Sequence, residues 1–400
     1  MTSKAAETTT PSLSEETTKL FDSWLASDGP VALRLRQKLL PVEADESGRG
    51  VIFPPTYADI GYNIDTLSDG TKVATIDSVG SQANRMEPIF THEPYSSLVP
   101  QIMIELHKGD DDGKEFVERR SIFDLAHRSA DVVVYSCPKL APTVTRAYAA
   151  LRHRGDAGPL CSLAPTSLLF GVWDSRGGSG EKRPRLVRAI IRAWDVEPLY
   201  SAAQFNSIWK ALSEEQQAEL EKEAKARKTR LSEKGLADAP ATFRKVSQSA
   251  AKQMPEFRDG APNPERRVLG GVVTKDKIER DIAVNLVALR NIQGATEAQT
   301  REIRRYLLAL ALLTATADIE LFLREGCNLR FADKDDCWFA VPRRGEPVPI
   351  ELSSARELLL GYAKGAVVPF KAKWPAELSY IFDMKEAKKL LAKKEEDEEE

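Results

Sequence analysis

The sequence is poor in the residues that most often carry chemistry. Only four cysteines occur, Cys137, Cys161, Cys327 and Cys337, and they lack the paired spacing of a zinc site. Only four histidines occur, none with a partner spaced as a metal pair or as a nucleophile and base. No apolar run approaches the roughly 20 residues that span a bilayer, and the richest stretch is 306–313. The first residues, Met-Thr-Ser-Lys, carry no apolar signal segment. These absences point to a reduced, cytoplasmic protein with no membrane partner, metal or cofactor. A dominant charge is lacking too: 57 Lys and Arg face 60 Asp and Glu. With the six acids of residues 395–400 set aside, 54 acids remain and the rest carries a net of +3. Such a balance does not mark a nucleic-acid binder, so any such role has to come from where the charges gather.

What is present suffices for a folded core, with 42% hydrophobic residues in 400. Residues 1–20 read as a disordered N-terminus, and 20–40 as one or two helices broken at Asp28-Gly29-Pro30. Strand signals fill 51–76, with a turn at Ser68-Asp69-Gly70 between 62–66 and 71–76. Residues 99–107 read as a strand, 121–128 as a short helix, 131–137 as a Val-rich strand and 139–152 as a helix. Further strands are expected at 167–173 and 268–274, while 278–289 is open between strand and helix. The apolar helix 296–316 continues through 318–324, a hairpin covers 327–341, and another helix covers 353–362. Residues 201–264 make a charged peripheral insertion or thumb, and 385–400 a charged, fraying tail.

Two stretches stand out. Asp77-Ser-Val-Gly-Ser-Gln-Ala-Asn-Arg-Met-Glu87 comes directly after a strand, and its polar residues are too dense for a core segment. With Gly80 and Ser81 as loop and N-cap, Ser81, Gln82, Asn84 and Arg85 fall in the first turns of a helix, where free N–H groups favour an anion. The same pattern also fits an ordinary capped helix. The second stretch gathers Arg176, Lys182, Arg183, Arg185, Arg188 and Arg192 around a Gly-rich loop at 174–180. As a strand, 184–196 puts Arg188, Ile190, Arg192 and Trp194 on one face and small apolar residues on the other; as a helix it aligns Arg185, Arg188 and Arg192. Such a cluster can track a phosphate backbone or form a solvated charged hairpin. The loop lacks the G-x-x-x-x-G-K-[ST] arrangement of a nucleotide site.

Taken together, residues 77–87, the run Leu-Ala-Pro-Thr-Ser-Leu-Leu-Phe-Gly-Val-Trp-Asp-Ser at 163–175, Pro184-Arg-Leu-Val-Arg and Arg192-Ala-Trp-Asp-Val resemble the backbone subunit of type I CRISPR interference (Cascade) complexes. The I-G branch, formerly I-U, is the nearest likeness. The segments 203–206, Ile278-Glu-Arg and 322–327 are similar as well. The resemblance implies an α+β fold, an RRM-like or ferredoxin-like antiparallel sheet palm with helical and loop insertions, spanning 21–384 as one unit. It implies copies stacked head to tail on guide crRNA, which presents bases to target DNA, together with a large subunit and an end-capping, repeat-processing subunit. By the same resemblance Ser81, Gln82, Asn84 and Arg85 contact sugar or phosphate, and 176–185 lies near the RNA or the next copy. The family does not cut. The alternative is metal-dependent RNA cleavage, as in type III backbone subunits, with Asp77, Asp131 or Asp174 as the carboxylate. The paired aromatics on which a typical RRM stacks bases are missing from the sequence pattern, which favours backbone tracking.

Overall fold

In the computed structural model the described residues are 15–57, 60–109, 115–174, 181–202, 208–229, 231–234, 236, 267–334, 337–352 and 356–396. The helix Glu15–Leu25 (α1) stops ahead of Asp28-Gly29-Pro30, and the next element is a strand. At Gly29 the chain turns so tightly that a Cβ would lie 2.7 Å from the Ser23 carbonyl oxygen. In Leu33-Arg34-Leu35-Arg36-Gln37-Lys38-Leu39 every second position is apolar except Gln37, and Ala32–Pro41 (β1) buries every second residue. The expected helix over 20–40 is therefore corrected to helix then strand, because period-two alternation governs the second half.

The 64–77 hairpin forms as expected, with Ile64–Thr66 (β2) paired to Lys72–Asp77 (β3). Its turn is closed by a hydrogen bond from Leu67 N–H to Thr71 O, 2.9 Å, with Gly70 at φ 90°. Val79–Met86 (α2) comes directly after β3. Ala141–Arg154 (α3) matches its expected helix. Pro165–Phe170 (α4) does not, since proline in its first turn starts a helix where a strand was expected, and only Val172–Asp174 (β4) is extended. Likewise the Val-rich 131–137 is a short helix, Val132–Tyr135, capped by the Asp131 carboxylate, which accepts from Val133 N–H at 3.0 Å.

β4 pairs with Glu181–Arg183 (β5), and Val187–Trp194 (β6) is a strand, which settles the choice between strand and helix there. Residues 278–289 are both, a strand Ile278–Asn285 (β7) and a short helix after it. The secure helix is Glu297–Thr316 (α5), capped by Thr296. It does not continue, and Phe322–Arg324 (β8) pairs with Cys327–Phe331 (β9). Trp338–Val341 (β10) forms no hairpin with β9. The two strands lie one after the other along one edge of β1, β10 beside Ala32–Leu35 and β9 beside Leu39–Pro41. Of the 201–264 insertion, Glu214–Ala226 is helical, while 237–264 lie outside the described residues, as do 1–14. The charged tail is helical over Met384–Glu396.

The central sheet runs β8-β9-β1-β7-β6-β3-β2, wholly antiparallel. In chain order, β1, β6, β7 and β9 lie fourth-first-third-second across it, and helices occupy the first-to-second and third-to-fourth connections. Leu33, Leu35, Val187, Ala189, Ile282 and Val284 share one face and pack beneath α4 and α5, within one core to which α3 also contributes. α5 is buried over most of residues 306–315, and each such Leu contributes about 1.5–3 kcal/mol by leaving water. Farther along the same face a second apolar cluster joins Leu39, Ile76, Ile191, Ala193, Ile278 and Leu329. Among the described residues no helix is long and apolar enough to cross a membrane.

Candidate nucleic-acid interface

Between the two apolar clusters lies a buried polar seam, and the first marked stretch belongs to it. Asp77 ends β3 fully buried, and Ser78, one residue on, is the helix N-cap, accepting from Ser81 N–H at 3.2 Å. The expected cap at Ser81 is thus corrected by three residues. Helical spacing then stacks Ser81, Gln82 and Arg85 over Asp77. Its carboxylate accepts from Ser81 Oγ (2.8 Å), Gln82 Nε2 (2.7 Å) and Arg85 Nε (3.1 Å), and from Arg324 Nη2 of β8 at 3.3 Å. Arg280 Nε donates to Gln82 Oε1 and Arg280 Nη1 to Gln37 Oε1, both 2.8 Å, so the network ties β3, α2, β7 and β1 together. Arg85 Nη2 also donates to the Leu323 carbonyl at 2.7 Å.

This geometry gives three of the four residues expected at a phosphate partners within the protein. Gln82 is buried, its Nε2 donating to Asp77 Oδ2 and its Oε1 accepting from Arg280 Nε. Ser81 Oγ and Arg85 Nε donate to Asp77, and Asn84 is the exposed residue of the four. The negative charge favoured at a helix start is supplied by Asp77 itself. The dense polarity of the stretch is that of a buried network, which demands a partner for every donor.

The second stretch divides. Arg176 lies outside the described residues. Lys182, Arg185 and Arg188 are exposed, and Arg183 and Arg192 are partly buried. Arg188 and Arg192 sit on the sheet face opposite the helices, so they lie across the sheet from α2. Among the described residues, Arg188 and Arg192 therefore do not share a track with the polar start of α2. The structure brings Arg188 and Arg192 together instead with Arg34, Arg36 and Lys38 of β1, and with Arg330 beside Leu40. Glu279 and Asp281 of β7 lie between the two rows, and Arg36 Nε contacts both, Asp281 Oδ1 at 2.9 Å and Glu279 Oε1 at 3.8 Å. Lys277 Nζ lies 3.2 Å from Glu279 Oε2. The cations outnumber these two acids, so the face carries an excess of positive charge. Arg34 also lies over the Phe339 ring, 5.5 Å from its centre.

Sequence reasoning missed the β1 cations because the segment was read as helix. The signal was available in the alternation of Arg34, Arg36 and Lys38 with Leu33, Leu35 and Leu39.

At the near end of β6, Arg185 packs against Gly171, where a Cβ would meet Arg185 Cγ and the Arg183 carbonyl at 3.0 Å each. Gly171 has φ 80°, so glycine is required there on both counts. Partial burial and the neighbouring Arg128 and Arg188 guanidinium groups push the pKa of Arg185 down. Arg128 is itself buried, with its Nε 2.7 Å from Glu87 Oε2, its Nη1 donating to Gly171 O at 3.3 Å, and the Phe170 ring 5.4 Å away. Burial raises the pKa of Glu87, and Arg128 opposes that rise.

The three aspartates considered for cleavage each have internal duties. Asp77 holds the seam, Asp131 caps a helix, and Asp174 is buried beside Arg152 Nη2 (3.4 Å) and Tyr135 OH (3.3 Å). Among the described residues no group of three His, Cys, Asp or Glu side chains is placed to hold a metal ion.

Residues 33–198 match the family model described as CRISPR-associated protein GSU0053. The match begins in β1 and ends just past β6, so it contains both marked stretches. No curated protein matches the chain. The similarity supports a CRISPR-related role and membership of a CRISPR effector complex at that coarse level.

Proposed function

We propose that this protein is a non-catalytic backbone subunit of a type I-G Cascade complex in the cytoplasm, which polymerises along guide crRNA and presents it to target DNA. The observation that carries the reading is the match of residues 33–198 to a CRISPR-associated family, over the very segment that holds both sequence motifs. The fourth-first-third-second strand order supports an RRM-like, ferredoxin-like palm, since two helical crossovers folding onto one antiparallel sheet give that arrangement. The cationic sheet face supports the binding mode. A protein that accepts any guide needs contacts to phosphate and sugar rather than to base edges, and arginines on a rigid strand supply them. Base pairing then reads the sequence, with the protein holding the guide ordered. Further copies join head to tail, and a large subunit and an end-capping, repeat-processing subunit complete the assembly.

Extracting nucleic acid from the purified chain tests the reading. Expected is RNA of discrete length, bound with an affinity that falls steeply as salt rises. Assembly that survives ribonuclease and salt with no RNA present would overturn it. The competing enzyme reading predicts Mg²⁺-dependent cleavage of a guide-matched RNA, abolished by Asp174→Ala. No cleavage is expected.

A further inference from the structure

Trp173 is 56% exposed, although its neighbours in β4, Val172 and Asp174, are 7% and 3% exposed. An isolated exposed apolar residue is ordinary; this one is held. Val172 packs into the main core, and Asp174 is fixed by Arg152 and Tyr135. Strand alternation then leaves the indole no inward direction. Directly across the hairpin stands Lys182, with Arg183 next to it paired to Val172. Arg185 and Arg188 come within six residues of Lys182. Two acids belong to the hairpin strands: Glu181, next to Lys182, stands across from Asp174, and Asp174 faces inward and is paired with Arg152. A fixed, outward indole thus stands directly opposite Lys182, with Arg183 on the same strand.

We infer that Trp173 is a stacking platform for an unpaired base of single-stranded RNA, with Lys182 on the adjoining phosphate. The inference rests on the proposed RNA-binding function and adds a base contact to it. Every base has a π-face, so stacking on an aromatic ring adds affinity without reading sequence, as a chain that accepts any guide requires. An indole is the largest such surface, and cationic neighbours favour a polyanion over an apolar protein surface.

The test uses the full chain and two synthetic RNAs of equal length, one unstructured and one abasic at successive positions. Trp173→Ala is expected to weaken binding of the intact strand about 5-fold to 140-fold, and Trp173→Phe to restore most of it. The abasic strand should bind wild type and Trp173→Ala alike. Lys182→Ala should instead lower the slope of log K against log salt by about 0.7. Trp173 is exposed, so unchanged thermal unfolding of each variant is the control. Equal losses on both strands, or none on either, would overturn the platform while leaving RNA binding intact. So would a Trp173→Ala protein that keeps its RNA affinity but no longer self-associates, since the ring would then pack on a second copy. A wild-type chain that binds neither RNA would overturn the proposed function, and the platform with it.

Discussion

Replacing Asp77 with alanine tests whether the polar stretch at 77–87 is built to hold the fold. The carboxylate is fully buried and takes four donors, from Ser81, Gln82, Arg85 and Arg324. Removing one partner from a buried ion pair costs about 3–5 kcal/mol, because the charge left behind has lost its compensation. Here Arg85 and Arg324 keep 26% and 25% of their side chains exposed, so water replaces part of the lost interaction. That places Asp77→Ala near the lower end, at about 3 kcal/mol. Asp77→Asn keeps the shape and one acceptor, and should cost about 1.5–3 kcal/mol, the range for a hydrogen bond to a charged group. Urea unfolding monitored by circular dichroism measures both, as a lower midpoint with an unchanged slope. Asn84→Ala, on the exposed side of the same helix, serves as control and should lie within about 0.5 kcal/mol of wild type. If Asp77→Ala costs less than about 1 kcal/mol, the seam does not hold the sheet to α2 as described.

The other predictions are independent of that one. Lys38→Gln and Arg188→Gln, at exposed positions on the cationic sheet face, should each reduce the salt slope of RNA binding by about 0.7 for unrelated sequences alike. An unchanged slope would remove that residue from the interface. Arg128→Ala should destabilise the fold by about 3–5 kcal/mol by leaving Glu87 buried without its counter-ion. The sign with pH is set by burial, which raises the pKa of Glu87. A folded-state pKa above the unfolded value gives stability that is present below the unfolded value and lost as pH rises through the folded one. Unfolding at a series of pH values should therefore show the Arg128→Ala deficit smallest in acid and growing towards neutrality. Finally, burial pushes the Cys137 and Cys327 thiols up to about 11 and raises Cys161 as well, whereas Cys337 is exposed. A thiol reagent at neutral pH should label the native protein once, at Cys337, and peptide mapping would identify the site.

What the chain settled by itself was local. The Ser68-Asp69-Gly70 turn and the capped apolar helix α5 were readable because each is specified within about one turn or one helix, whereas 184–196 fitted strand and helix alike until the structure made it β6. So was the mixed α+β class, and the residues of both motifs pointed to the same CRISPR association that the family match supports. Short apolar runs were not readable in this way. The Val-rich 132–135 and the Leu-rich 165–170 are helices because of an Asp cap and a first-turn proline, which outweigh β-branched or apolar content over so few residues.

Only the tertiary structure decided where the polar residues point. Sequence spacing put Gln82, Asn84 and Arg85 on one short helix, but whether that helix faces solvent depends on Arg280, Gln37 and Arg324, which arrive from strands far along the chain. The basic face depends likewise on register. Arg34, Arg36 and Lys38 meet Arg188 and Arg192 because β7 lies between β1 and β6 and aligns their alternate positions. Pairing of strands distant in sequence is governed by packing of the whole sheet, and no local period encodes it.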